Sequence, residues 1–248
     1  MQRNYISSVR LTTPINASSY LGELPVVRHL TRIKELVFAN PVTFLVGENG
    51  TGKSTILEAI AVAYGFNAEG GTRNFNFATS ATHSDLYRHL TLFKSAYPKD
   101  GFFLRAESFY NAASYADAVY EDKLMAGVPT AYGARSLHAQ SHGESFLSLV
   151  ENRFNGDGLY LLDEPESALS PNRLMTLMVH IHALVQKNSQ FIIATHSPIL
   201  MTYPGAQVYE LSMAGIHSVD YRNTEHYQLT RRFLENPEKM LHYLLDEN

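Results

Sequence analysis

The chain contains no cysteine, so disulfides and thiolate metal sites are excluded and a reducing compartment fits the composition. No run of about 18 apolar residues occurs, so no membrane-spanning helix is expected. The opening Met1-Gln2-Arg3-Asn4-Tyr5-Ile6-Ser7-Ser8 lacks the apolar core of a secretory signal. These absences point to a cytoplasmic protein. An internal repeat, a low-complexity tract and a long heptad region are also missing. No charge of one sign dominates, since the net charge is −4. A free-standing nucleic-acid binder usually shows a basic face. The overall balance thus argues against DNA as the main ligand and leaves a local patch open.

What is there is an ordinary globular mix: 248 residues, 45% hydrophobic and 18% charged. That length suits one α/β domain, or one core domain with insertions, and buries a core without staples. Val42-Thr43-Phe44-Leu45-Val46 reads as a buried strand running into glycines. A helix is expected from about Lys53 to Tyr64, with Ile56, Leu57, Ile60, Ala61 and Tyr64 on one face and Gly65 as its stop. Residues from about Phe66 to Ser84 show no period. Leu86, Leu90 and Phe93 fall at helical spacing and suggest a short helix. Gly101 to Ala106 reads as a strand, and Asn111 to Gln140 as a helix plus a mobile lid.

The second half is plainer. Ser145 to Arg153 has a helical pattern, and Leu159 to Leu162 is a strand of parallel-sheet type. Ser170-Pro171 opens a helix bearing Leu174, Leu177, Met178, Ile181, Leu184 and Val185. Phe191-Ile192-Ile193-Ala194 is another buried strand. Asn236-Pro237-Glu238 begins a last helix carrying Leu241, Leu244 and Leu245. Alternating strands and helices give an α/β fold with a largely parallel central sheet flanked by helices.

Four constellations carry chemistry. Gly47-Glu48-Asn49-Gly50-Thr51-Gly52-Lys53-Ser54 matches G-x-x-x-x-G-K-[ST] at every fixed position, between a strand and a helix. Glycines let backbone N–H groups turn in around phosphates, and the helix N-terminus adds positive charge. Lys53 reaches the β- and γ-phosphates, and Ser54 offers its hydroxyl to Mg²⁺. The Leu159–Leu162 strand ends in Asp163-Glu164. Asp163 suits Mg²⁺, and Glu164 can orient and deprotonate a water, although charged turns after strands are common. Glu166, behind Pro165, reads as a solvated turn residue. His196 follows a buried strand and can donate to a γ-phosphate, although the chain holds 11 histidines. Ser141-His142-Gly143-Glu144 precedes a helix. It fits a phosphate-binding turn and equally a capping box.

Together these residues resemble the ATP-binding-cassette ATPases, and more narrowly the small stand-alone bacterial AAA-family ATPases related to SMC and RecF heads. The resemblance runs from about Leu36 to Ser197. It implies a P-loop NTPase fold with an antiparallel N-terminal part, in one domain with an insertion or lid at about 66–140. It makes Gly47–Thr55 the Walker A loop, with Gly47, Glu48, Asn49, Gly50, Thr51, Gly52, Lys53, Ser54 and Thr55 around the nucleotide. Leu159–Glu164 becomes Walker B, with Glu164 the catalytic glutamate. Ser141, His142, Gly143 and Glu144 become the signature, Ser167-Ala168-Leu169-Ser170 the D-loop, and His196 the switch histidine. His142 departs from the usual glycine. No Q-loop glutamine is evident: Gln140 lies too near the signature, and Glu107 or Ser108 is the nearest substitute, with Glu107 a possible metal ligand.

The resemblance further implies ATP and Mg²⁺ as cofactors. It implies an ATP-dependent head-to-tail homodimer in which each signature closes on the partner's nucleotide. A soluble regulatory, defence or DNA-maintenance system with a separate effector protein is expected. Only about thirty residues lie between Glu107 and Ser141, and at about 1.5 Å per residue no long coiled-coil arm fits. A transporter's nucleotide-binding subunit, a P-loop kinase and a non-hydrolysing scaffold are the alternatives. The Glu164–His196 pair favours hydrolysis over transfer.

Overall fold

The computed structural model describes residues 4–16, 19–72, 84–105 and 141–245. In chain order the described elements are β1 (Ile6–Leu11), α1 (Pro25–Ile33), β2 (Leu36–Val37), β3 (Val42–Val46), α2 (Lys53–Tyr64), β4 (Leu90–Lys94), β5 (Asp100–Arg105), α3 (His142–Arg153), β6 (Gly158–Asp163), α4 (Pro171–Gln186), β7 (Gln190–Ala194), β8 (Gln207–Leu211), β9 (Ile216–Val219), α5 (Glu225–Glu235) and α6 (Pro237–Leu245). Six strands form the central sheet in the order β5-β6-β7-β3-β8-β9. All its pairs are parallel except β8–β9. A separate antiparallel sheet has the order β2-β1-β4. The expected α/β architecture, largely parallel with an antiparallel N-terminal part, is what forms.

The strands are apolar on both faces because both faces are covered. Phe44, Val46, Phe102, Tyr160, Leu162, Phe191 and Ile193 pack on the side of α3 and α4. Their alternates Leu45, Phe103, Leu159, Leu161, Ile192 and Ala194 pack with α1, α2 and β1. This period of two is what a sheet buried between helix layers requires. Register then sets the site. Asp163 stands opposite both Arg105 and Ala194, and Leu45 also stands opposite Ala194. The C-terminal ends of β3, β6 and β7 therefore open side by side.

Most local expectations hold. β3, α2 and the core of β6, β7 and α4 lie where the pattern puts them. Gly65 ends α2 at φ 109°, its N–H bonding the carbonyls of Ala61 and Val62. Ser170 caps α4, with Pro171 in its first turn. Two expectations change. Leu86, Leu90 and Phe93 do not share a helix. A 3₁₀ turn over Asp85–His89 buries Leu86, and Leu90–Lys94 pairs antiparallel with β1. In that strand Leu90 and Leu92 turn to the core, while exposed Phe93 lies under Arg10, 4.6 Å from ring centroid to guanidinium carbon. Spacings of four and three between apolar residues fit a helix, but cross-strand pairing decided otherwise. In addition, α3 begins at His142, so the Ser141–Glu144 segment is the helix's own start. The lid expected at 111–140, Glu107, Ser108 and Gln140 lie outside the described residues.

Candidate functional site

Gly47 leaves β3 at φ 139°, and a Cβ there would stand 2.0 Å from the Leu211 carbonyl oxygen. Only glycine permits this approach to β8. Gly52 sits at φ 96° as the residue before α2, and a Cβ there would stand 2.5 Å from Val26 Cγ1. No side chain caps the first turn of α2. Its N–H groups are thus presented to whatever anion the loop encloses. Gly50, at φ 80°, faces open space. Thr51 Oγ1 and Lys53 Nζ both donate to the Glu48 carbonyl, at 2.8 and 3.1 Å. Burial holds the Lys53 ammonium below the usual lysine value, and Glu164, Asp163, Glu166 and Glu48 oppose that shift. A buried cation among carboxylates and uncapped amides suits a polyphosphate with its metal.

Asp163, buried at the tip of β6, faces Arg105, whose Nε lies 3.7 Å from Asp163 Oδ2. Arg105 Nη1 bonds Glu58 Oε2 at 2.6 Å. Ser54, Thr55, Glu58 and Arg105 line one cavity of about 250 Å³. Among the described residues no three His, Asp or Glu side chains cluster to cage a metal. Mg²⁺ on phosphates takes only one or two protein ligands, a number that Ser54 and Asp163 would supply. Next in line, Glu164 adopts φ 49°, ψ 53°, a left-handed conformation costing an ordinary residue about 1–2 kcal/mol. Its N–H bonds the Ala194 carbonyl at 2.9 Å, and Ser167 closes the turn onto its carbonyl. The strain turns its carboxylate off the strand line toward β7.

There Glu164 Oε1 lies 3.5 Å from His196 Nε2. That separation lacks hydrogen-bond geometry, and His196 Nε2 is buried without a hydrogen bond among the described residues. A buried ring nitrogen beside the loop mouth is suited to an incoming acceptor. Burial and the nearby Lys53 hold the His196 imidazole below its ordinary pKa. Glu166 is not the solvated turn residue expected. Its Oε1 accepts the His196 N–H at 2.5 Å, and burial pushes its carboxyl up. The 3₁₀ turn over Pro165–Ala168 folds it back under the strand ends.

The chain is similar in sequence and fold to known proteins. Residues 27–100 match a sequence model described as an AAA domain. Residues 140–202 match another, described as "AAA domain, putative AbiEii toxin, Type IV TA system". Among solved structures, CbiO1 from Clostridium perfringens, part of the ABC transporter complex CbiONQ, aligns at 13% identity with TM-score 0.51, over 97% of this chain and 99% of its own. A nucleotide-free ATP-binding cassette from an ABC transporter aligns at 14% identity with TM-score 0.50, over 98% and 100%. An SMC head domain from Thermotoga maritima aligns at 18% identity with TM-score 0.42, over 75% and 92%. This is an ATP-binding-cassette P-loop ATPase fold.

Within that fold, Gly47–Thr55, Asp163, Glu164 and His196 lie at three adjacent strand ends. Ser141–Glu144 does not join them in this chain. Ser141 and Glu144 form a capping box, with Glu144 Oε2 accepting from Ser141 N at 3.0 Å and Oγ at 2.7 Å. Arg173 of α4 bonds Ser141 Oγ at 3.1 Å and pairs with Glu144 Oε1 at 3.1 Å. The capping reading is thus realised, and the turn's bonds run to α4. Gly143 is closely enclosed, since a Cβ would stand 2.5 Å from Arg173 Nη1 and 3.0 Å from the Ala168 carbonyl. Two residues were missed. Arg105 sits at a strand end beside Asp163, where a charge after Phe-Phe-Leu was the available signal. His226, on α5, bonds His196 and had no signal beyond being a histidine.

Proposed function

We propose that the protein binds ATP with Mg²⁺ on the Gly47–Thr55 loop and hydrolyses it. The convergence of Lys53, Glu164 and His196 Nε2 on one loop mouth carries this reading. Lys53 and the first amides of α2 bind and neutralise the phosphate chain. Ser54 and Asp163 hold Mg²⁺, which supplies charge neutralisation at the phosphate oxygens when bound. Glu164 holds the attacking water and takes its proton on the carboxylate. His196 donates from Nε2 toward the terminal phosphate. The Ser141–Glu144 turn, pinned by Arg173, closes on the nucleotide of a second copy, so that ATP links a head-to-tail homodimer. Among the described residues no helix is long and apolar enough to cross a membrane. The reading extends to a cytoplasmic ATPase serving a separate effector in a regulatory, defence or DNA-maintenance system.

The test uses purified protein and Glu164→Gln with ATP, with Mg²⁺ or with EDTA. Mg²⁺-dependent phosphate release by the parent is expected, together with an ATP-dependent dimer of the variant on gel filtration. Phosphate release that ignores Mg²⁺, or equal turnover by the variant, contradicts the reading.

A further inference from the structure

We propose that His226 is a positioning residue for the hydrolysis read above: its Nε2–H donates to His196 Nδ1 and so keeps the His196 proton on Nε2. The inference rests on that reading and adds a component from outside the matched loops. The two rings meet edge-on, with centroids 5.0 Å apart and planes at 60°. His196 Nδ1 and His226 Nε2 are 3.2 Å apart. A neutral imidazole carries one donor and one acceptor nitrogen. His196 Nε2 faces the Glu164 carboxylate, which accepts and does not donate when ionised. That neighbour draws the proton to Nε2 and leaves Nδ1 as an acceptor. His226 must then donate from its own Nε2.

A second carboxylate fixes the direction of that donation. Glu48 Oε1 lies 3.5 Å from His226 Nε2, which favours a proton there. Glu48 acts on the same nitrogen by its charge alone: the one hydrogen on His226 Nε2 goes to His196 Nδ1, the nearer acceptor at 3.2 Å.

The placement of His226 is firm. Thr224, wholly buried, bonds the Tyr221 carbonyl at 2.7 Å and the Met201 sulfur at 3.3 Å. The Glu225 N–H bonds Glu210 Oε1 at 3.1 Å, tying the start of α5 to β8. The ring therefore stands at the rim of a cleft of about 520 Å³ shared by Gly47, Glu48, Thr51 and α5. Removing the partner that fixes the tautomer of a metal-ligating histidine costs about 10–100-fold, and the same order is expected for this pair.

The experiment compares the parent, His226→Phe and His226→Gln. Phenylalanine keeps the ring and its packing but has no donor. Glutamine restores an N–H near the same point. Two readouts are used: kcat and KM for Mg·ATP, and the nitrogen chemical shifts of His196, which report its tautomer without nucleotide. The phenylalanine variant should lose about 10–100-fold in kcat with KM within about threefold, and the glutamine variant should recover most of it. In the parent, the His196 proton should sit on Nε2, and in the phenylalanine variant the two tautomers should mix. A parental kcat for His226→Phe, a loss that glutamine does not rescue, or a parental proton on Nδ1 would each overturn the proposal. A parent with no Mg·ATPase activity contradicts the hydrolysis reading, whereas the tautomer spectrum still decides the histidine pair. Melting curves on all three proteins separate unfolding from misplacement.

Discussion

Replacing Arg105 with methionine should destabilise the protein by leaving two carboxylates at the strand tips without their shared cation. Arg105 is 21% exposed and Glu58 10%, and their 2.6 Å contact is close to fully withdrawn from water. Asp163, at 7% exposure, lies 3.7 Å away on the other side of the guanidinium. Methionine fills much of the arginine stem's volume, so the packing loss is small. What remains is two carboxylates without their shared cation. Breaking a buried pair costs about 3–5 kcal/mol, and the partial exposure here lowers the expectation to about 2–4 kcal/mol. For a domain of this size each kcal/mol moves Tm by roughly 2–4 °C, so the fall should be about 4–16 °C. Thermal unfolding followed by circular dichroism reads this directly. Adding Glu58→Met should recover part of the loss, because one uncompensated charge is removed with it. A single variant that melts with the parent, or a double variant worse than the single, would refute the reasoning.

Three further outcomes are expected. Lys53→Ala should weaken ATP binding about 10–100-fold, since a hydrogen bond to a charged group is worth about 1.5–3 kcal/mol; titration calorimetry checks it. Gly143→Ala should lower stability by about 1–3 kcal/mol, since the new Cβ meets the Ala168 carbonyl and Arg173; a parental denaturant midpoint would contradict the steric account. The His196 imidazole binds a proton less readily folded than unfolded. Its contribution to stability is therefore complete above the unfolded value of 6.5 and is lost as pH falls through and below it. His196→Gln should flatten the fall of Tm between about pH 7 and pH 5, and an unchanged slope would remove His196 from that response.

The site was legible wherever chemistry and local structure coincide. Gly47–Ser54 needs glycines for its backbone and lysine for its charge, so the motif names its own geometry. β6 and β7 are apolar on both faces and end in Asp163-Glu164 and Thr195-His196, so strand and site announce each other. Elements that lean on their neighbours were not legible. β2 is only two residues long and exists through β1. β8 opens with Gln207, carries Glu210 between Tyr209 and Leu211, and is held by β3. Helix α5 buries no residue fully and rests on the core through partly buried Tyr227, so no buried face marked it. His226 on that helix reaches the site only through the fold. Glu166 was misread because a carboxylate after proline in a turn is ordinarily solvated. The left-handed turn at Glu164 sends it inward instead.

The measurement that bears most directly on the central claim is a crystal structure of the protein with Mg²⁺ and a non-hydrolysable ATP analogue. The account predicts the terminal phosphate within hydrogen-bond reach of Lys53 Nζ and His196 Nε2. It also predicts Mg²⁺ on Ser54 and Asp163, with a water held by Glu164. Nucleotide bound elsewhere, or bound here with Glu164 and His196 turned away from its terminal phosphate, would contradict it.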